Sequence, residues 1–322
     1  MSPSVAIVGA GAIGSWIADA LDRAGWAVAL LARGSTLAAL HDDGLTVERA
    51  GDIRCSRPRA GSAAELGAHD YVFLTVKAQV LPGLAPSLGA LIGPATVVVS
   101  GTNGIPWWYF QDFGGVLANQ PLRSVDPQRS QERAFPRQRT LGSVVHASAR
   151  MLAPAHAQVV AADRLLLGEP GGELTSRLEE LVGGLQDGGI NTEASRHIRR
   201  DVWAKLWGNM NMNPLSALTR SGTSKMLGSP DVRELCVHMM EEMEACGRHL
   251  GLEMSMRPTE RIAVTQRLGD FRPSMLADLE AGRPLELDPQ LGAVVEIAQR
   301  LEVPAPFMRS VLALTRLINP AE

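Results

Sequence analysis

The sequence predicts an α/β fold: an N-terminal Rossmann domain with a doubly wound sheet, followed by an all-helical C-terminal domain. Three observations predict it. Short β-branched runs alternate with helical segments through the first half, the pattern of parallel strands joined by helical crossovers. The first run leads directly into a glycine-spaced turn and a helix. From about Arg196 helical periodicity takes over, punctuated by Gly, Pro and Ser. The change of texture puts the domain boundary near residue 194. Residues 1–193 then form the dinucleotide-binding domain and residues 194–322 the helical one.

The elements follow in order. Val5–Val8 is a strand, Ala12–Ala24 a helix and Ala27–Leu31 a second strand. Leu37–His41 reads as a short helix and Leu45–Glu48 as a strand. Tyr71–Val76 and Thr96–Ser100 are buried strands, being largely unbroken apolar runs. Between them Val80–Leu91 reads as a helix broken by two prolines. Leu141–Met151, Gln158–Val160 and Leu165–Leu167 read as later strands. Leu174–Gln186 is an amphipathic helix ended by Gly188–Gly189, and Ile190–Glu193 a last strand. The helical domain reads as Ile198–Met212, Val232–Leu250, Met256–Leu268, Leu291–Leu301 and Phe307–Ile318.

Bulk properties narrow the function. The chain has 322 residues, 45% apolar and 20% charged, as a soluble globular protein does. A net charge of −3 gives no field to recruit nucleic acid or an anionic membrane. No run of ~20 apolar residues offers a transmembrane span, and the first residues lack the basic region of a signal peptide. Cys55, Cys236 and Cys246 have no metal-ligand spacing and cannot all pair, which favours a reducing compartment. A cytoplasmic location without a metal site is the expectation.

The stretch VAIVGAGAIG contains Gly9, Ala10, Gly11, Ala12, Ile13 and Gly14 in the G-x-G-x-x-G pattern. Its setting between strand and helix reads as a dinucleotide site. The first glycine allows the turn, the second a close approach to pyrophosphate, the third helix–strand packing. An NAD site ends its second strand on an acid that holds the ribose 2′-OH. Here no acid occurs from Ala27 to Thr36; Arg33 stands there, followed by Ser35 and Thr36. A guanidinium grips a 2′-phosphate, so the cofactor reads as NADP(H).

Lys77 and Asn103 each follow a predicted strand at the carboxyl edge, where open α/β sheets bind ligands. A surface lysine and an Asn-Gly turn are the alternatives. In the helix DVWAKLWGNMNMNP, Lys205, Asn209 and Asn213 recur every four residues and so share one face, drifting about 40° per step. Asparagine is a poor helix former, so its repetition beside a lysine reads as a site wall, with a solvated face as the alternative. In RPSMLADLEAGRPLELD, Ser274 is a helix cap or a site hydroxyl. Glu286, framed by Leu285 and Leu287, calls for a cation if buried; Lys205 is one candidate. The methionines of Val232–Leu250 (Met239, Met240, Met243) bury against a second subunit or against their own domain; a homodimer is the preferred assembly.

The order of GAGAIG, VKA at 76–78, NG at 103–104, KLWGNMNMNPLSALT at 205–219 and SMLADLEAGRPLELD at 274–288 resembles the ketopantoate reductase family over nearly the whole chain. The resemblance implies a helical domain like the 6-phosphogluconate dehydrogenase C-terminal domain. It implies NADPH-dependent reduction of 2-dehydropantoate to pantoate, with Lys205 as general acid and Glu286 as its acidic partner. It implies substrate binding by Asn209, Asn213, Ser274 and Asn103, and cofactor binding by the glycine motif, Arg33, Lys77 and Asn103. The chain departs from the family in NGIPWWYFQDF, in PQLG after the acidic motif, and in Phe271 and Arg272 before Ser274. If Trp107, Trp108 and Phe110 line the site's rim, the substrate becomes another 2-oxo acid, aromatic or branched. Packing of the domain interface is their other reading. An NADPH-binding regulator without turnover is a third reading, against which the set Lys205, Asn209, Asn213 and Glu286 argues.

Overall fold

The computed structural model describes residues 2–320 and divides into two compact units, residues 1–102 with 129–201, and residues 103–128 with 202–322. The sequence reading had a single division near residue 194, with 103–128 on its N-terminal side.

The first unit is built on one ten-stranded sheet. Its strands are β1 (Ser4–Val8), β2 (Ala27–Leu31), β3 (Leu45–Arg49), β4 (Asp52–Ser56), β5 (Arg59–Gly61), β6 (Tyr71–Leu74), β7 (Val97–Ser100), β8 (Thr140–Ala153), β9 (His156–Gly168) and β10 (Thr192–Ala194). Its helices are α1 (Ala12–Arg23), α2 (Gly34–Asp42), α3 (Ala63–Leu66), α4 (Leu81–Leu84), α5 (Ser130–Ala134) and α6 (Ser176–Asp187). Strands β5-β2-β1-β6-β7-β8 are all parallel and run in the Rossmann order. Strand order reverses between β1 and β6, which places the crevice for a ligand beyond their carboxyl ends. An antiparallel β8–β9 hairpin extends the sheet, and β9 pairs in parallel with β3 and β10. Trp16, Ile17 and Leu21 of α1 and Leu178, Leu181 and Leu185 of α6 belong to one buried core with β1, β2, β6 and β7.

Three departures from the predicted elements have local causes. Gln158–Val160 and Leu165–Leu167 are one strand, β9. Its register against β8 shifts between His146 and Ala147 and again between Ser148 and Ala149, and such bulges break the two-residue periodicity that marks a strand. Val80–Leu91 is not one helix but a 3-10 turn (Ala78–Val80), α4 and a second 3-10 stretch (Ala85–Leu91), each of the latter two with proline in its first turn. The short edge strands β4 and β5 carry mixed polar sequences and gave no pattern to read.

The second unit is helical. It comprises α7 (Ile198–Thr219, from Val202 onward), α8 (Thr223–Gly228), α9 (Pro230–Leu250), α10 (Pro258–Arg267), α11 (Ser274–Glu280), α12 (Ala293–Arg300) and α13 (Pro306–Ile318). A π-helical turn, Asp288–Gly292, opens α12. Helix α7 does not stop at Met212; it continues through Pro214 to Thr219. Proline removes one N–H from the ladder, but burial outweighs that loss. Trp203, Trp207 and Met210 are fully buried, and Trp207 Nε1 donates to the Met240 carbonyl of α9 at 2.9 Å. Met239, Met240 and Met243 are buried within the single chain and present no apolar face to a second subunit.

Glu242 ties α9 to α13. Its buried carboxylate accepts the Phe307 and Met308 N–H groups at 2.8 Å each, satisfying orphan donors at the start of α13. Glu242→Gln turns one acceptor into a donor facing a donor. Urea unfolding should show a loss of about 1–3 kcal/mol; an unchanged midpoint would mean that α13 docks without this carboxylate.

Candidate active site

The glycine motif joins β1 to α1, and its three glycines are required for three different reasons. Gly9 has φ +110°, and a Cβ there would stand 2.7 Å from the Val76 side chain. A Cβ on Gly14 would collide with the Gly9 carbonyl and stand 2.6 Å from Thr75 Oγ1. Around Gly11 nothing lies within 4 Å of that position, so the backbone there is open to a ligand. Thr75 at the end of β6 donates to the Val8 and Gly9 carbonyls at 3.2 and 2.8 Å and locks the turn. Ala10 is buried beneath the turn, and Ala12 and Ile13 begin α1, whose first turn carries no acidic side chain. An anion therefore meets backbone N–H groups and no opposing charge.

Arg33 follows β2 and is the N-cap residue of α2. It is exposed, and among the described residues no carboxylate lies within ion-pair distance of it. Lys77 follows β6 across the reversal point from the glycine turn and is half-buried in extended backbone.

Of the polar residues predicted for the site, Lys205, Asn103 and Glu286 are joined within the second unit. Lys205 Nζ donates to Asn103 Oδ1 at 2.8 Å, and Asn103 Nδ2 donates to Glu286 Oε2 at 3.3 Å. One amide thus bridges the amine and the carboxylate, with its two ends oriented by their opposite requirements. Glu286 is 3% exposed, between buried Leu285 and Leu287. The backbone holds this bridge in place. Gly104 has φ +85°, and a Cβ there would run into the Pro289 carbonyl, which accepts the Ile105 N–H at 2.9 Å. Segment 103–105 therefore lies directly against the π turn that follows Glu286.

Lys205 keeps some surface exposure, but its amine is deeply surrounded. Burial pushes its pKa down from 10.5 to about 8, against the charge of Glu286, which pulls it up. Asn209, one turn along, is half-buried and makes no side-chain hydrogen bond among the described residues. Asn213 is buried and donates to Gln290 Oε1 at 2.7 Å. Ser274 is the first residue of α11, exposed, with no capping bond, so the cap reading is not what the structure shows. It lies outside the hydrogen-bonded set of Lys205, Asn103 and Glu286. Asp278, four residues along α11, pairs with Arg283 at 3.0 Å.

Sequence reasoning missed Gln290. It is 1% exposed, and its Nε2 has no partner among the described residues. The break from the family pattern at PQLG was the available signal, but nothing in it pointed to an amide facing Asn213. A second signal was lysine usage. Only Lys77, Lys205 and Lys225 occur in the chain, so two of the three lie at candidate site positions. The aromatic run is interior: Trp107, Trp108, Tyr109 and Phe110 are each at most 6% exposed, with Tyr109 and Phe110 edge to face at 5.1 Å. They form no open rim.

The sequence matches the family description "Ketopantoate reductase PanE/ApbA" over residues 5–172 and "Ketopantoate reductase PanE/ApbA C terminal" over residues 197–319. It is 38% identical over 314 residues to a 2-dehydropantoate 2-reductase of Mesorhizobium japonicum, covering 97% of this chain and 96% of that one. The crystal structure of a ketopantoate reductase homologue from Ralstonia solanacearum MolK2 superposes with a TM-score of 0.94 at 40% identity, covering 99% and 98% of the two chains. D-mandelate dehydrogenase, solved with NADH and anilino(oxo)acetate, shares the fold at 19% identity and a TM-score of 0.84 over 98% of each chain. With both halves matched, and with the nucleotide turn and the lysine helix each built as described, the chain belongs to the ketopantoate reductase family of oxidoreductases.

Proposed function

We propose that the protein reduces 2-dehydropantoate to pantoate with NADPH, Lys205 serving as the general acid. The observation that carries the proposal is the Lys205–Asn103–Glu286 bridge: an amine of lowered pKa, held at a fixed place by a buried amide and carboxylate. The cofactor fits the first unit, where the open approach at Gly11 suits a pyrophosphate and unpaired Arg33 suits a 2′-phosphate. Gly9, Ala10, Gly11, Ala12, Ile13, Gly14, Arg33 and Lys77 would hold it. When bound, the nicotinamide supplies the hydride.

The chain's own residues supply position and a proton. As negative charge develops on the substrate's carbonyl oxygen, Lys205 Nζ stabilises it and transfers a proton to it, leaving a neutral amine that recovers a proton from solvent. A donor with pKa near the working pH combines availability with acidity. Asn103 aims the amine, and Glu286 keeps enough of it charged. Asn209, with its amide uncommitted, would bind a substrate oxygen. Asn213 would act with Gln290 at the far end of the same face, and Ser274 at the mouth of the site. The buried aromatic run lends no support to an aromatic substrate. A panel of 2-dehydropantoate, other branched 2-oxo acids and phenylglyoxylate, followed at 340 nm, tests the substrate; preference for phenylglyoxylate would displace this reading. A homodimer in the cytoplasm remains part of the proposal, as a dimeric relative from Staphylococcus aureus is known.

Lys205→Ala should lower kcat by ~10²–10⁴-fold with NADPH affinity unchanged; a normal kcat would remove Lys205 from the chemistry. Because the protonated amine is the active form, kcat/KM for reduction should fall as pH rises through about 8. Glu286→Gln removes the charge that raises this pKa, so the falling limb should move to lower pH; a limb that moved up would contradict the assignment. Arg33→Ala should weaken NADPH far more than NADH in a fluorescence titration, whereas equal losses would undo the NADP assignment.

A further inference from the structure

Helix α10 brings an arginine against the helix that carries Lys205. A Cβ on Gly208 would stand 2.6 Å from a terminal nitrogen of Arg261 and 3.2 Å from its Cζ, so the guanidinium occupies space that only glycine leaves free. Arg261 Nη1 donates to Thr265 Oγ1 at 2.8 Å, one turn along α10, which fixes the side chain. Among the described residues no carboxylate lies within ion-pair distance of it. Burial alone lowers its pKa, with no acid opposing. Half-buried Arg177, Arg300 and Arg54 pair with carboxylates, and half-buried Arg49, Arg139 and Arg233 donate to backbone carbonyls, whereas the Arg261 guanidinium gives its hydrogen bond among the described residues to the Thr265 hydroxyl. The placement carries two costs, a glycine inside a helix and a partly desolvated cation without a counter-ion. A bound anion would offset both.

Its position on α7 says which anion. With Lys205 at zero on the helical wheel, Gly208 lies at about −60°, Asn209 at about +40° and Asn213 at about +80°. Trp203 and Trp207 lie on the opposite side, which Trp207 anchors to α9. Arg261 therefore lies against the Gly208 side of the lysine face, while Gln290 meets it at Asn213 on the other. Helix positions three apart are neighbours, roughly 5–6 Å between Cβ atoms. In a 2-oxo acid the carboxylate and the carbonyl sit on adjacent carbons. The Lys205 amine and a guanidinium lying against Gly208, one turn along the same helix, match that spacing, one for each oxygen group. The guanidinium retains N–H donors beyond the one given to Thr265, enough for a two-point grip on a carboxylate.

We propose that Arg261 is a specificity-determining residue whose guanidinium binds the carboxylate of the 2-oxo acid that Lys205 protonates. This rests on the reading of the chain as a 2-oxo acid reductase. The test compares 2-dehydropantoate with its neutral 2-oxo amide in wild type, Arg261→Lys and Arg261→Gln, with NADPH Kd and Tm measured alongside. Wild type should prefer the acid. Arg261→Gln should lose roughly 10- to 100-fold in kcat/KM on the acid, mainly through KM, and little on the amide, as expected for a lost charge-assisted hydrogen bond. Arg261→Lys should fall between, and NADPH Kd should not move. Equal loss on acid and amide, or no loss on either, overturns the assignment and makes Arg261 a packing residue. A wild type that reduces no 2-oxo acid overturns the functional reading and this assignment with it. Should Arg261→Gln lower Tm severely, Gly208→Ala displaces the guanidinium without deleting it and must show the same selective loss on the acid.

Discussion

The site depends on keeping one amine out of water. A lysine surrounded by protein loses hydration that its charge needs, and this pushes the Lys205 pKa down to about 8. Left alone, such an amine would tend to be neutral, and the proposed proton transfer needs it charged. Glu286 counters the loss, but a carboxylate pressed directly on the amine would hold its proton too firmly for transfer. The amide of Asn103 lies between them, accepting from one and donating to the other. In the proposed mechanism the interposed amide leaves the lysine charged, oriented and still acidic.

Much of the second unit can be understood as the frame for that bridge. Trp203 and Trp207 fix one side of α7 in the core, which determines where the opposite side faces. Gly104 lets the chain that carries Asn103 press onto the π turn after Glu286, so two segments distant in sequence share one short span of backbone. Such π turns recur at functional sites because the extra residue redirects side chains. Here it points Gln290 at Asn213. The first unit is a conventional counterpart, in which strand order, glycine geometry and the carboxyl edge of the sheet all designate the same crevice.

The parts legible in the sequence were those governed by local rules. The glycine turn, the apolar central strands and the α7 face with Lys205, Asn209 and Asn213 follow from periodicity and backbone geometry, and the structure has them in place. Glu286 between two leucines was readable as a buried carboxylate in need of a partner. Its link through Asn103 was not, because that contact spans 183 residues and runs through an amide that sequence alone makes look like a turn residue. Arg261 was invisible for the same reason, although Gly208 between Trp207 and Asn209 marked a place where something approaches the helix. The aromatic run beside Asn-Gly was open to a site rim or to packing, and its burial favours packing. Strand β9 was read as two pieces because its bulges interrupt the alternation that sequence patterns depend on.

The tuning of the Lys205 amine by the Asn103–Glu286 bridge can be measured directly. Three lysines make it directly observable: protein carrying 13Cε-lysine gives one signal each for Lys77, Lys205 and Lys225, and Lys205→Arg assigns the relevant one. This signal should titrate near 8 in wild type and lower in Glu286→Gln. A Lys205 signal that titrates at the ordinary lysine value, or that ignores the loss of Glu286, would contradict it.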